Sequence, residues 1–91
     1  MYIFSPSKKF NKSFLKIRKH KKYKEGEFIF VLNTLLSGKK LSQKYKVHKL
    51  NGKYENCFEC HIQNDILMIY IFDEKHKVLY AIDIGTHSEL F

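Results

Sequence analysis

The histidines are the residues whose types and positions offer chemistry. His48, His61 and His87 each lie at the border of a predicted strand or in a loop beside one, and Asp65 follows His61 across a polar turn. Histidine titrates near neutral pH, so it can take a proton from a 2′-hydroxyl or give one to a leaving oxygen. A carboxylate can orient an imidazole. The set favours RNA cleavage, although each histidine taken singly fits a structural role as well.

The segment 57–61 has the C-x-x-C-H spacing of a c-type haem attachment site. It falls inside a predicted strand, where the odd separation places Cys57 and Cys60 on opposite faces. This geometry also argues against a disulfide. A zinc site that uses Cys60, His61 and a distant histidine is the remaining alternative. The sequence lacks the acidic cluster of a magnesium nuclease, so we expect no metal and no cofactor.

Charge is distributed unevenly along the 91 residues. Residues 1–53 hold fifteen Lys or Arg and two acids (+13), residues 54–91 hold two Lys and seven acids (−5), and the sum is the net charge of +8. Asymmetry of this size predicts a surface that binds a polyanion. The alternative is that the lysine-rich composition only aids solubility. The candidate phosphate-binding lysines lie in the segment 39–53: Lys39, Lys40, Lys44, Lys46, Lys49 and Lys53.

Two helices and a small sheet must position these residues. Residues 2–4 form a candidate edge strand, serine and proline at 5–7 favour a helix start, and apolar spacing predicts one helix over 7–22. A second helix follows Gly26 and ends near Gly38. We expect residues 39–53 to form a loop. Strands over 54–62, 66–72 and 78–84, joined by short turns, predict an antiparallel meander.

The length and hydropathy of the chain bound its class. We expect one domain over residues 1–91. No apolar run reaches the roughly 20 residues that cross a bilayer, so no membrane association is expected. The first residues lack an apolar stretch of signal-peptide length, which predicts a cytoplasmic protein.

Four segments together resemble the YafQ branch of the RelE-type toxins, small ribonucleases of bacterial toxin–antitoxin pairs. The segments are 45–52, 59–65, 69–70 and 85–91, and the last reads Gly-Thr-His-Ser-Glu-Leu-Phe. The resemblance implies an α+β, RelE-like fold in which an N-terminal strand and a two-helix hairpin pack on a small antiparallel sheet. It implies cleavage of mRNA, usually on the ribosome, by attack of a 2′-oxygen on the adjacent phosphate. It also implies a cognate antitoxin that inhibits the toxin.

Position by position, His48, His61, Asp65 and His87 match the catalytic set of that family, and Phe91 matches its closing aromatic, which contacts substrate. The resemblance favours His87 as the general acid toward the leaving oxygen. The base is His48, His61 or Asp65, and the sequence leaves the three alternatives open.

Two positions depart from the family pattern. Ile66 stands where the family commonly has Trp or another large residue, which removes an aromatic stacking contact with a base. Asp83 stands where arginine is frequent, and Arg18 is the only arginine in the chain, so lysines must hold the phosphates as point charges. These departures keep a second reading open, a non-catalytic RNA- or ribosome-binding module that needs only the basic half.

Overall fold

The computed structural model describes residues 1–91 as a five-stranded sheet with three helices. In chain order the elements are β1 (Ile3–Pro6), α1 (Lys8–Ile17), α2 (Glu25–Leu36), β2 (His48–Lys49), β3 (Phe58–Gln63), β4 (Ile66–Asp73), β5 (Val78–Gly85) and α3 (His87–Leu90). Two 3-10 turns, Gln43–Tyr45 and Gly52–Tyr54, flank β2. The strands lie in the order β1-β5-β4-β3-β2. The predicted α+β class and the RelE-like arrangement are confirmed. No helix is long and apolar enough to cross a membrane.

The strand β4 lies at the centre of the sheet because its continuous apolar run requires cover on both faces. Its first five residues are buried, and it pairs antiparallel with β3 and β5. The predicted meander is therefore confirmed. The sheet as a whole is mixed, however, because β1 pairs parallel with β5, with Ile3 opposite Val78. The prediction of an antiparallel sheet was wrong at this edge, since a four-residue strand carries no pattern that fixes its direction.

The helix α1 begins as its sequence predicts and ends earlier. The side chain of Ser7 caps it by accepting a hydrogen bond from the Phe10 amide at 2.9 Å. Ser7 also donates from Oγ to the Ile82 carbonyl at 2.8 Å, which fastens the helix start to β5. The predicted extension to residue 22 was wrong. Beyond Ile17, the next positions on the buried face are His20 and Lys21, which are exposed and supply no apolar contact.

Side chains alternate between the two faces of the sheet along each strand. The two faces are covered by different elements. The helices α1 and α2 cover one face, where Phe10, Phe28, Met68 and Tyr70 belong to the larger core cluster. On the other face, which we call the open face, a smaller cluster holds the following residues: Leu50, Tyr54, Leu67, Ile69 and Leu90. The open face is therefore covered only in part, by the segment around residues 50–54 and by α3.

The segment 39–58 differs from its prediction. The expected loop over 39–53 contains β2, the 3-10 turn Gln43–Tyr45 and the start of the 3-10 turn Gly52–Tyr54. The expected strand start at residue 54 was wrong, because Asn56 has a left-handed φ of 72° and breaks the extended chain before Phe58. The last helix, α3, was not predicted, although its Thr-x-x-Glu sequence is a capping-box signal.

Candidate active site

The strand register places three chemically active side chains together on the open face. His48 on β2 lies directly opposite Glu59 on β3. Glu59 and His61 are two residues apart on one strand, so their side chains share a face. Directly opposed residues have Cβ atoms roughly 4.5–5.5 Å apart, so His48 lies beside Glu59 across the strand pair. His61 follows along the strand, and the two histidines lie on either side of the Glu59 carboxylate.

Glu59 is the buried centre of this group. It is 3% exposed, and its Oε1 lies 3.3 Å from Nε2 of His48 and 3.9 Å from Nε2 of His61. Its Oε2 is buried and has no hydrogen-bond partner. A buried carboxylate oxygen without a partner is costly and rare, and such atoms concentrate at functional sites. Sequence reasoning missed Glu59. The signal available was a lone acid two residues before His61 in a predicted strand.

The ring of His48 is held from both sides. Its Nδ1 lies 2.8 Å from the Lys46 carbonyl oxygen, and Lys46 has a left-handed φ of 49°, which turns the chain into β2. Both ring nitrogens face oxygen atoms, Nδ1 the Lys46 carbonyl and Nε2 the Glu59 carboxylate. The side chain remains half exposed and accessible to a ligand.

His61 is less exposed than His48 and has a different electrostatic environment. Burial is the largest cause that holds the pKa of His61 below its usual value. The nearby charges of Lys46 and His48 lower this pKa further, whereas the Glu59 carboxylate opposes the shift. The lowered pKa favours the neutral form of His61, which suits a group that accepts a proton.

A basic groove of about 890 Å³ runs beside His61. It lies between the loop that joins α1 to α2, the 3-10 turn at Gln43–Tyr45, and the turn between β3 and β4. Asp65 is exposed and lines this groove together with His61. The lysines that line it are Lys21, Lys22, Lys24, Lys44 and Lys46. The last two are among the predicted phosphate-binding residues, and the first three are not.

His87 lies on α3, at the same end of the sheet as His61. His61 pairs with Leu67, which pairs with Gly85, so Gly85 lies two strand spacings, or about 10 Å, from His61. His87 follows two residues later, is exposed, and has its ring centroid 5.2 Å from that of Phe91. The structure thus brings His48 and His61 into contact with one carboxylate and leaves His87 on the neighbouring element.

A capping box holds α3 in place. The Thr86 side chain accepts from the Glu89 amide at 3.3 Å, and the Glu89 carboxylate accepts from the Thr86 amide at 2.8 Å. Lys16 of α1 lies 3.2 Å from the same carboxylate. The hydrogen bond from the Thr86 amide is the main cause that holds the pKa of Glu89 below its usual value.

The other predicted substrate-binding residues lie apart from the groove. Lys53 has its Nζ 5.4 Å from the centroid of the Tyr54 ring. The Phe91 ring lies 5.9 Å from Tyr54 in an edge contact, so these two predicted residues share one aromatic neighbour. The three remaining lysines are exposed and do not line the groove: Lys39, Lys40 and Lys49.

Both positions that depart from the family pattern have structural roles. Ile66 is 2% exposed and belongs to the larger core. Asp83 is 3% exposed; its Oδ1 accepts from the Ile84 amide at 2.9 Å and its Oδ2 lies 3.4 Å from Nζ of Lys9. The acid on β5 is therefore neutralised by a lysine from α1.

The cysteines and the possible metal ligands give no further centre. Cys60 is buried in the larger core, and Cys57 packs against the smaller cluster on the other face, as predicted. Both thiols are free, and burial raises the pKa of Cys60 to about 12. No three or more His, Cys, Asp or Glu side chains are grouped so that they could hold a metal ion.

Comparison with known proteins places this geometry in a family. Residues 2–91 match the family model of YafQ, described as a bacterial toxin of a type II toxin–antitoxin system. A sequence search of curated proteins found no significant match.

Solved structures resemble the whole chain. A metal-bound toxin from Helicobacter pylori is 34% identical with a TM-score of 0.87, and a copper-bound mutant toxin from that organism is 30% identical with a TM-score of 0.89; each alignment covers 100% of both chains. YafQ in the DinJ–YafQ complex of E. coli is 23% identical with a TM-score of 0.86, over 100% of this chain and 99% of that one. The chain therefore belongs to the YafQ family of bacterial toxins of type II toxin–antitoxin systems.

Proposed function

We propose that this toxin is an endoribonuclease that cleaves mRNA by acid–base catalysis and thereby inhibits translation. The observation that carries the proposal is the buried Glu59 carboxylate between His48 and His61, beside a groove lined by lysines. Groups that transfer protons near neutral pH thus lie next to a surface that attracts phosphates. None of the proposed steps draws on a metal ion.

The reaction begins with attack of a 2′-oxygen on the adjacent phosphorus. His61 accepts the 2′-hydroxyl proton, because its lowered pKa leaves it neutral and it faces the groove. Glu59 contacts the Nε2 side of His61 and stabilises the imidazolium that forms. Asp65, exposed on the same groove, is the alternative base.

The leaving oxygen requires an acid on the other side of the phosphate. His87 donates a proton to the 5′-oxygen as the phosphorus–oxygen bond breaks. The products are a 2′,3′-cyclic phosphate and a 5′-hydroxyl, so atoms and charge balance without a co-reactant. The lysines of the groove, together with His48, offset the negative charge that develops on the phosphate. Phe91, beside His87, supplies an apolar ring against the substrate.

An antitoxin protein is the proposed partner. The related YafQ of E. coli is found in a complex with DinJ. An acidic segment of an antitoxin would complement the basic groove and exclude RNA from His61. The RNA substrate is mRNA on the ribosome, and the proposed place of action is the cytoplasm.

The test compares wild type with His87→Ala on mRNA bound to translating ribosomes. Loss of the acid is expected to slow cleavage about 10²- to 10⁴-fold, measured by the yield of ends that carry a 5′-hydroxyl and a 2′,3′-cyclic phosphate. The matched control is His76→Ala. His76 binds Asp73 in the turn between β4 and β5 and does not line the groove, so its loss is expected to leave the rate unchanged.

The outcomes separate two candidate functions. Equal cleavage by wild type and His87→Ala would remove His87 from the mechanism. Salt-dependent RNA binding by wild type without any cleavage would favour the second candidate, a non-catalytic RNA- or ribosome-binding module, which the lysine-lined groove alone is sufficient to support.

A further inference from the structure

The loop that joins α1 to α2 is fastened to the strand that carries His61. Gln63, at the end of β3, donates from Nε2 to the Lys22 carbonyl at 2.6 Å and accepts at Oε1 from the Lys24 amide at 2.8 Å. One side-chain amide therefore holds two backbone groups of the loop. Because Gln63 lies two residues after His61 on the same strand, the position of the loop is fixed relative to His61.

The loop forms one wall of the groove, and the turn at Gln43–Tyr45 forms the other. The wall made by the loop carries Lys21, Lys22 and Lys24. The opposite wall carries Lys44, whose Nζ lies 5.0 Å from the centroid of the Tyr45 ring, and Lys46, which lies close enough to His61 to lower its pKa. Cationic side chains thus face the groove from both sides.

None of these five lysines forms an ion pair within the molecule. Lys9, Lys16 and Lys77 each lie within 4 Å of an acid, whereas the groove lysines have no such contact. The acids that line the groove are Glu27 and Asp65, and Glu27 accepts a hydrogen bond from the Tyr45 hydroxyl at 3.4 Å. The charge on the two walls therefore remains available to an external anion.

We infer that the loop of residues 18–24 is a second phosphate-binding wall, which holds the backbone of a single-stranded RNA beyond the phosphate that reacts. Lys21 and Lys22 contact phosphates on this wall, and Gln63 is the positioning residue that sets the wall at a fixed distance from His61. The inference deepens the proposed function and rests on it for the identity of the anion as RNA.

The test measures binding separately from cleavage. The probe is a single-stranded RNA of about ten nucleotides with a 2′-O-methyl group on every ribose, which blocks the 2′-oxygen and prevents reaction. Dissociation constants of wild type and of the double variant Lys21→Ala/Lys22→Ala are measured over a fourfold range of KCl concentration. Each lost phosphate contact lowers the slope of log K against log salt by about 0.7. When the KCl concentration rises fourfold, the fold-loss of affinity should therefore be about seven times smaller for the double variant than for wild type.

The matched control is Lys8→Ala/Lys12→Ala, which removes two exposed, unpaired lysines of α1 that do not line the groove. This variant has the same net charge as the loop variant and should keep the slope of wild type. Equal slopes for the loop variant and the control would overturn the inference, because only net charge would then matter. Absence of salt-dependent binding by wild type would overturn it as well.

A second variant tests the role assigned to Gln63. Gln63→Ala keeps every lysine but releases the loop, so it should weaken binding of the methylated RNA and accelerate hydrogen exchange of the Lys24 amide, which donates to Gln63. Faster exchange with unchanged affinity would contradict the positioning role. Since the probe is not cleaved, loss of the proposed ribonuclease activity would leave these binding results intact, and the two failures are distinguishable.

Discussion

Glu59 links the two histidines of the site and acts on the pKa of His61. Its carboxylate raises the pKa of His61, against burial and against the neighbouring charges of Lys46 and His48, which lower it. The pKa of His61 thus reflects one buried acid that raises it and surroundings that lower it. A substitution that removes the charge of Glu59 but keeps its shape measures the effect of that charge on the pKa.

We expect Glu59→Gln to lower the pKa of His61 below its value in wild type, which is itself below 6.5. The physical reason is loss of the only nearby side-chain charge that favours the imidazolium. Titration of the His61 ring protons by NMR measures the shift directly. If Glu59 also stabilises the imidazolium during cleavage, the rate should fall, and its low-pH limb should move to lower pH with the pKa of His61.

Glu55→Gln is the control, because Glu55 is exposed and makes no ion pair. A His61 pKa that stays constant or rises in Glu59→Gln would show that the carboxylate does not act on this ring.

The sequence pointed to both histidines as candidates, whereas its only signal for Glu59 was an acid two residues before His61. His48 and His61 are identified by residue type and by resemblance. Their meeting at Glu59 depends on β2, a strand of two residues that pairs His48 with Glu59. Two residues carry no periodicity, so the sequence gives no sign of that pairing.

At the scale of elements, α3 is too short to be stable alone, since isolated helices of fewer than about 12 residues are marginal in water. Its capping box and the contact of Lys16 with Glu89 hold it against β5. The pair is exposed and contributes little by itself, so the cap and the buried Leu90 together form the restraint on α3. His87 and Phe91 depend on that restraint for their positions.

We expect Thr86→Ala to loosen α3 without unfolding the protein. Loss of an N-cap side chain costs about 1 kcal/mol, a factor of about five in a local equilibrium. The Glu89 amide, which donates to the Thr86 hydroxyl, should therefore exchange about fivefold faster. Cleavage should slow by a comparable factor. Hydrogen exchange and a cleavage assay check these two effects.

Thr86→Ser is the matched control, since it keeps the hydroxyl that caps α3 and removes only a methyl group. Exchange of the Glu89 amide at the wild-type rate in Thr86→Ala would show that other contacts hold α3.

The elements that the sequence predicted well are those with a strong local pattern. The apolar run of β4 and the serine cap of α1 were identified because each is encoded in a few adjacent residues. The end of α1, the direction of β1 and the start of β3 were not. The direction of β1 depends on a distant segment, through contacts such as the hydrogen bonds of Ser7 with β5. The other two depend on local features that carry no periodic pattern, the exposed His20 and Lys21 after α1 and the left-handed Asn56 before β3.

At the scale of the whole molecule, the two oppositely charged halves of the sequence partly neutralise each other. Lys9 and Lys16 of α1 pair with Asp83 and Glu89 from the acidic half. The charge that remains unpaired lies on the groove, where we propose that an antitoxin binds. The division into a basic and an acidic half was predictable, whereas the choice of which lysines remain free required the tertiary structure.

We expect expression of the toxin alone to arrest growth, and co-expression of an acidic protein encoded by an adjacent reading frame to restore it. Acidic side chains would compete with RNA for the groove lysines. The check is protection of the Lys24 and Gln63 amides from hydrogen exchange in the purified complex. Restored growth without protection in the groove would show that the antitoxin binds another surface.

The parallel pairing of β1 with β5 also concerns the order in which the site can assemble during synthesis. The strand β1 has as its partner a strand that is synthesised much later, with Ile3 opposite Val78. The helix α1 is fastened to β5 through Ser7, and His87 is synthesised later still. A nascent chain therefore cannot complete the sheet that carries the site until β5 has been synthesised and has paired with β1.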